Sequence, residues 1–93
     1  MGIFVKGPAA RLDYAVDWSS TTTGGVSIAA SDWTVDPVEP AGIAVTATIV
    51  AGTRTGATFN GGIAGHVYRI ANRITLSDGR IDDRALSVRV EVR

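Results

Sequence analysis

Apolar and polar residues alternate in short stretches along most of the chain. Leu12, Tyr14, Val16 and Trp18 alternate with small or acidic residues, and residues 43–51 follow the same pattern. A period of two residues is typical of a half-buried β-strand. Clusters of Gly, Ser, Thr, Asn and Pro separate these stretches and indicate turns. The pattern predicts six strands, or seven if residues near the N-terminus also pair.

Two changes of apolar parity predict β-bulges, because one extra residue in a strand moves the following side chains to the other face. The first change separates Val26 and Ile28 from Trp33 and Val35, so we expect a bulge near residues 30–32.

The second change lies in a C-terminal hairpin, whose arms flank Ser77-Asp78-Gly79. A two-residue Asp78-Gly79 turn, a strong hairpin signal, would set Ile74 opposite Asp83. One extra residue at Asp82–Asp83 would instead set Ile70 opposite Val88 and Tyr68 opposite Val90. We therefore predict a bulge at Asp82–Asp83.

Composition favours an all-β fold. The 93 residues include 11 Val, 8 Ile and 10 Thr but 3 Leu, and branching at Cβ suits a pleated sheet better than a helix. We predict an immunoglobulin-like β-sandwich of six to seven antiparallel strands, with a small β-barrel as the alternative. One sandwich domain would span residues 12–93, preceded by an N-terminal arm at residues 1–11.

The arm contains three consecutive bulky apolar residues, Ile3, Phe4 and Val5, between glycines and a proline. Exposed alone, such a run is an aggregation hazard or an interface. We expect it to dock against a neighbouring protein and to be dispensable for the stability of the domain. The alternative is a first strand packed on its own sandwich.

Charge argues against nucleic acid as a partner. The formal net charge is zero, with −3 over residues 1–50 and +3 over residues 51–93. The two halves of a sandwich interleave, so neither sign dominates a face, as a nucleic-acid binder would require. The sequence also lacks an apolar run long enough for a signal peptide or a membrane span. We expect a chain synthesised in the cytoplasm.

No residue set with catalytic, cofactor-binding or metal-binding spacing is apparent. The chain has no cysteine, and His66 is the single histidine, for which we expect a surface position at a strand start. A zinc site needs three or four nitrogen or sulfur ligands. Asp78, Asp82 and Asp83 could supply oxygen ligands for calcium, but their spacing is not that of a calcium loop.

The two tryptophans and Tyr68 lead to separate predictions. Trp18 and Trp33 lie on the apolar parity of their strands and are expected in the core, although exposed tryptophans would indicate a sugar-binding platform. Tyr68 begins an apolar face, so its ring is expected inside with its hydroxyl hydrogen-bonded, since a buried unpaired hydroxyl is costly.

Arg69, Arg73 and Arg89 are expected together on the outer face of the C-terminal hairpin. In the bulged register Arg69 would face Arg89, which is unfavourable unless an acid intervenes. The set is either a hydrated face or a contact surface for acidic groups, since Arg is favoured at interfaces. With Ile3, Phe4 and Val5, these arginines are the candidate interface residues.

Four segments together resemble the fiber-tail adaptor proteins of tailed phages: DYAVDWS (13–19), IAASDWTV (28–35), GGIAGHVYRIANRITLSDGR (61–80) and RALSVRV (84–90). The similarity runs from about residue 13 to the end of the chain. One departure is Gly25-Val26-Ser27-Ile28, where relatives often have Gly-Asp-Thr-Ile.

The resemblance implies a non-enzymatic structural protein of the virion, linking tail or neck to fibres through protein–protein contacts. It implies several copies in a symmetric assembly, with other virion proteins as partners, and brings no catalytic residue. The alternatives are a capsid decoration protein and another immunoglobulin-like binding module, for example one that binds carbohydrate.

Overall fold

Six strands form where short alternating stretches predict them, and the N-terminal segment adds a seventh. The computed structural model describes residues 3–92, and within this range the regular structure is all β. The strands are β1 (Ile3–Lys6), β2 (Arg11–Asp17), β3 (Ile28–Asp36), β4 (Ile43–Ala51), β5 (Arg54–Gly61), β6 (Val67–Leu76) and β7 (Ile81–Val90).

The strands make two sheets packed face to face. One sheet has the order β1-β7-β6-β3 and the other β2-β5-β4. Lettered A to G in chain order, strands B, E and D share one sheet and C, F and G share the other, as in constant-type immunoglobulin domains. Strand A departs from that arrangement, because it joins the sheet of C, F and G. The fold is therefore the predicted β-sandwich and not a closed barrel.

The N-terminal segment is a strand and not a free arm. β1 pairs in parallel with β7, with Phe4 beside Val88 and Lys6 beside Val90. The structure thus shows the alternative that the sequence left open, a first strand packed on its own sandwich. It also corrects the expectation of purely antiparallel pairing, because β1 runs parallel to β7.

The core lies between the sheets as two neighbouring clusters. The larger is built around Phe59, Tyr68 and Ile70, and the smaller around Trp18 and Ile74, all of which are fully buried. Trp33 is partly buried and packs against both clusters. The guanidinium of Arg84 covers Trp18 from outside, 4.7 Å from the ring centroid.

A buried chain of polar side chains joins the two sheets through the core. The indole Nε1 of Trp18 donates to Thr55 Oγ1 (2.9 Å), and the Thr55 hydroxyl donates to Asn72 Oδ1 (2.5 Å). Asn72 Nδ2 in turn donates to Ser31 Oγ (2.9 Å). These bonds satisfy Asn72 and Thr55, which would otherwise be costly to bury.

The first predicted bulge is present but lies earlier than expected. The register of β3 against β6 shifts between Ile28, which pairs with Leu76, and Ala30, which pairs with Thr75. After this shift Trp33 and Val35 turn toward the core, which is the change of facing that the sequence pattern required.

The second predicted bulge, at Asp82–Asp83, is wrong. β6 and β7 pair without interruption, and Ile74 lies opposite Asp82, Ile70 opposite Leu86 and Tyr68 opposite Val88. The extra residue is in the turn, because Leu76 N donates to Arg80 O (2.8 Å) across a three-residue loop. A three-residue loop shifts the register by one position, so the strand needs no bulge.

Among residues 3–92 there is no helix long and apolar enough to cross a membrane.

Candidate functional site

The outer surface of the four-stranded sheet gathers most of the candidate interface residues. In β6 the even positions point into the core, so Arg69 and Arg73 point outward, and Arg89 does the same in β7. Ile3 pairs with Ser87 and Val5 with Arg89, which places both apolar side chains on the same outer surface. We call this surface the arginine face; its residues are Ile3, Val5, Asp32, Thr34, Asp36, Arg69, Ala71, Arg73, Asp83, Ala85, Ser87 and Arg89.

Phe4 does not belong to the arginine face. Its ring packs inward, edge-on against Tyr14 with centroids 5.3 Å apart, and it contacts the larger core cluster. Ile3 and Val5 remain exposed, at 63% and 46% of their accessible surface. Of the three apolar residues, Phe4 therefore anchors β1 in the core, whereas Ile3 and Val5 lie on the surface.

Each arginine of the face has different surroundings. Arg73 lies 3.4 Å from Asp83 and Arg89 lies 3.6 Å from Glu91, measured from guanidinium nitrogen to carboxylate oxygen. Both pairs are solvent-exposed, so each contributes little to stability. Within residues 3–92, the side chain of Arg69 forms no hydrogen bond or ion pair. Ser87, not Arg89, lies opposite Arg69, which corrects the expected register and removes the expected repulsion.

A shallow hollow of about 370 Å³ lies at the centre of the arginine face. Thr34, Ala71 and Ala85 form its floor, and the longer side chains of Asp32, Arg69, Arg73 and Asp83 surround it. Small residues in the middle of a sheet face allow another surface to approach closely, while the charged rim can pair with groups of either sign. Such an arrangement suits recognition of a protein surface.

His66 takes part in a hydrogen-bonded corner. Glu39 Oε1 accepts from the Tyr68 hydroxyl (2.7 Å) and contacts His66 Nδ1 (2.8 Å), and Ile63 N donates to Tyr68 Oη (3.1 Å). The Tyr68 hydrogen bond, followed by that of His66, lowers the pKa of Glu39. Burial, followed by the hydrogen bond to Glu39, raises the pKa of Tyr68.

This corner confirms the expectation for Tyr68, which is fully buried with its hydroxyl paired. It resembles the tyrosine corner of immunoglobulin-like domains, in which the hydroxyl at the start of strand F bonds to backbone a few residues upstream. The role is structural, since the three side chains hold the β3–β4 loop against β6. The sequence carried no signal for Glu39, which lies 27 residues before His66.

No group of three or more His, Cys, Asp or Glu side chains placed to hold a metal ion occurs in the described part of the chain. Asp78, considered above for calcium, instead accepts from the backbone amide of Arg80 (3.1 Å) and from its Nε (2.7 Å). These bonds lower the pKa of Asp78 and fasten the hairpin turn.

Comparison with known proteins finds a matching family. The family model described as podophage GP4 fiber-tail adaptor protein gp77 matches residues 6–89. No curated protein matches the chain. The matched range covers β2 to β6 in full and nearly all of β7, and it includes the three arginines of the face but not Ile3, Phe4 or Val5. The chain therefore belongs to the podophage fiber-tail adaptor family.

Proposed function

We propose that the chain is a structural adaptor of the virion that joins the tail or neck to the fibres by protein–protein contacts through its arginine face. The observation that carries the proposal is the pairing of β1 with β7. This pairing brings two exposed apolar side chains onto the same surface as three arginines. Arginine beside exposed apolar residues is the composition that interfaces favour.

Membership of the family supports the adaptor role, and the composition of the arginine face supports it as the contact surface. β1 is an edge strand with one partner, so a strand of a virion protein could pair with its free side. We propose other virion proteins as the partners, several copies of the chain in a symmetric assembly, and synthesis in the host cytoplasm before incorporation.

Capsid decoration would use the same kind of protein contact and remains the second candidate. Carbohydrate binding receives no support from the aromatic residues. A sugar platform exposes an aromatic ring, whereas all six Phe, Tyr and Trp side chains of the chain are buried or partly buried. Trp18 is fully buried, and the indole Nε1 of Trp33 is buried as well.

A charge reversal on the arginine face tests the proposal. Arg69→Glu changes a side chain with no hydrogen bond or ion pair in the described chain, so a loss of binding would not come from a broken internal contact. Arg11→Glu is the matched control, because it makes the same charge change at an exposed side chain of the three-stranded sheet, away from the face. The variants are produced during phage growth, and the chain and the fibres are quantified in purified particles.

We expect the Arg69→Glu chain to fold normally and to enter particles about tenfold less well or worse, a deficit equivalent to ~1.4 kcal/mol of contact energy. Arg11→Glu is expected to incorporate like the original chain. Equal incorporation of both variants, with fibres attached, would refute the arginine face as the docking surface. If the original chain is itself absent from purified phage particles, the adaptor role is refuted.

A further inference from the structure

Strand β4 contains a bulge that the sequence pattern does not predict. Its register against β5 shifts between Thr46, which pairs with Thr58, and Ile49, which pairs with Gly56. Ala47 lies within the bulge and has φ = +50°. A residue with a Cβ atom adopts this left-handed conformation at a cost in free energy, and such strain is concentrated at functional positions.

The bulge turns an isoleucine out of the protein. Ile43 and Val45 point toward the core, and uninterrupted alternation would place Ile49 on the same side. Instead Ile49 lies outside the three-stranded sheet and is 60% exposed. It lies over Gly56, where a Cβ atom would be 3.3 Å from Ile49 Cγ1. The chain thus adopts a strained conformation that exposes a large apolar side chain.

Beside Ile49 the same surface contains a hollow of about 360 Å³. Its lining includes Ala15, Ala47, Gly56 and Thr58, with Asp13 at one side. The Asp13 carboxylate accepts from the Thr58 hydroxyl (2.6 Å), so part of its hydrogen-bonding capacity is already met. The lining is otherwise largely apolar, which suits an aliphatic side chain.

β4 also differs in charge from the edge strands β2 and β3. β2 carries an arginine and two aspartates and β3 carries Asp32 and Asp36, whereas β4 has no charged residue from Ile43 to Ala51. Charged side chains on edge strands normally prevent association of one sheet with another. On β4 this protection is absent, and two copies of β4 could meet without repulsion.

We propose that the surface around Ile49 is where two copies of this chain associate, with Ile49 of each copy entering the hollow beside Gly56 of the other. A two-fold interface requires one patch that carries both a protruding group and the recess for it. Ile49 and the hollow satisfy that requirement side by side. Because the bulge interrupts the edge of β4, the contact is between side chains on the outer face and not a continuous added strand.

The inference rests on the proposed presence of several copies in the assembly, but its test uses the isolated full chain. Sedimentation velocity over a range of concentrations measures self-association without any other virion protein. We expect a monomer–dimer equilibrium for the original chain. For Ile49→Asp we expect a dissociation constant at least about tenfold higher, because a carboxylate would enter an apolar recess.

Ile81→Asp is the matched control, since Ile81 is 63% exposed and lies on the other sheet. It is expected to dimerise like the original chain. Ala15→Val tests the recess itself, because Ala15 is exposed and lines the hollow, so a larger side chain there would narrow it. It is also expected to weaken dimerisation.

Circular dichroism spectra and melting curves confirm that each variant folds. A monomeric original chain at all concentrations, or equal dimerisation of Ile49→Asp and Ile81→Asp, would overturn the inference. Neither result would affect the arginine face, whose test is incorporation into particles.

Discussion

The two tryptophans occupy similar positions in the sequence pattern but different environments. Trp18 is fully buried, its Nε1 is hydrogen-bonded to Thr55, and Arg84 covers its ring. Trp33 packs edge-on against Phe59 at 5.8 Å between centroids, but its buried Nε1 has no hydrogen-bond partner among residues 3–92. An unpaired buried donor reduces the stability that a side chain contributes.

Truncation of these residues is therefore expected to have unequal effects. Trp18→Ala leaves a cavity and breaks the polar chain through Thr55, and is expected to cost about 3–5 kcal/mol, the range for buried Trp-to-Ala changes. Trp33→Ala is expected to cost less, because part of the ring is already exposed and no hydrogen bond is lost. Urea unfolding of both variants measures the difference. A larger loss for Trp33→Ala would contradict this ranking.

At Glu39, pairing in the folded chain predicts how stability depends on pH. Its pKa is lowered below the ordinary value of 4.5, first by the hydrogen bond from Tyr68 and then by that from His66. A carboxyl group whose pKa is lower in the folded state stabilises the fold at pH values above its ordinary pKa. This stabilisation is lost as the pH falls through the pKa of the folded state. Asp17 and Asp78 have lowered pKa values and act in the same direction.

We expect Glu39→Gln to be less stable than the original chain near neutral pH. The difference is expected to shrink as the pH is lowered, because the original chain loses the carboxylate contribution that the variant lacks. Urea unfolding across the acidic range measures both free energies. Tyr68→Phe, which removes the strongest donor to Glu39, is expected to shrink the same pH dependence. A constant difference between Glu39→Gln and the original chain at all pH values would contradict the pairing.

At the scale of elements, the C-terminal hairpin shows how turn length replaces a bulge. The interior and exterior positions of β6 and β7 alternate as the sequence indicates, and the Ser77-Asp78-Gly79 loop connects them. Gly79 has φ = +91°, the conformation that closes a three-residue loop. Ile81 and Leu86 differ in apolar parity because Ile81 lies on the outer face, where it is 63% exposed, and the loop length, not a bulge, sets the register of β7.

Gly79→Ala is expected to destabilise the chain by about 1–2 kcal/mol, the cost of placing a Cβ atom in the left-handed region. Gly7→Ala is the control, because Gly7 does not require a positive φ and an added Cβ would have no contact closer than 3.8 Å. Thermal unfolding of the two variants compares them. Equal melting temperatures would show that the turn adapts without strain.

At the scale of the whole molecule, β1 is part of the larger sheet and is not a free arm that orders on binding a partner. Phe4 fills the space against Tyr14, and Lys6 is buried with its Nζ donating to Gly7 O (2.8 Å) and Gly61 O (2.5 Å). Burial lowers the pKa of Lys6. The bond to Gly61 ties β1 to a strand of the opposite sheet, so the N-terminal strand holds the two sheets together.

Removal of residues 2–8 is therefore expected to lower the melting temperature of the isolated chain, by about 4 °C or more if it costs ~1 kcal/mol. This reverses the expectation for a free docking arm. Scanning calorimetry of the truncated and full chains measures the change. The double variant Ile3→Ser/Val5→Ser, which alters the exposed residues of β1, is the control and is expected to melt close to the original chain. An unchanged melting temperature for the truncated chain would show that this segment does not stabilise the domain and is an independent arm.

The sequence by itself determined the all-β class, the places of the strands and the inward facing of Tyr68 and Ile70, because an alternation of period two is written in neighbouring residues. The family was also recognisable, since the order of four β segments is a property of the sequence. Tertiary structure alone decided the rest. No local pattern encodes the hydrogen bond between Glu39 and Tyr68, which joins residues far apart in the sequence. The same holds for the position of Ile3 and Val5 beside the arginines and for the register shift that exposes Ile49. Pairing between distant strands follows from how the whole core packs, and the placement of interaction surfaces follows from that pairing.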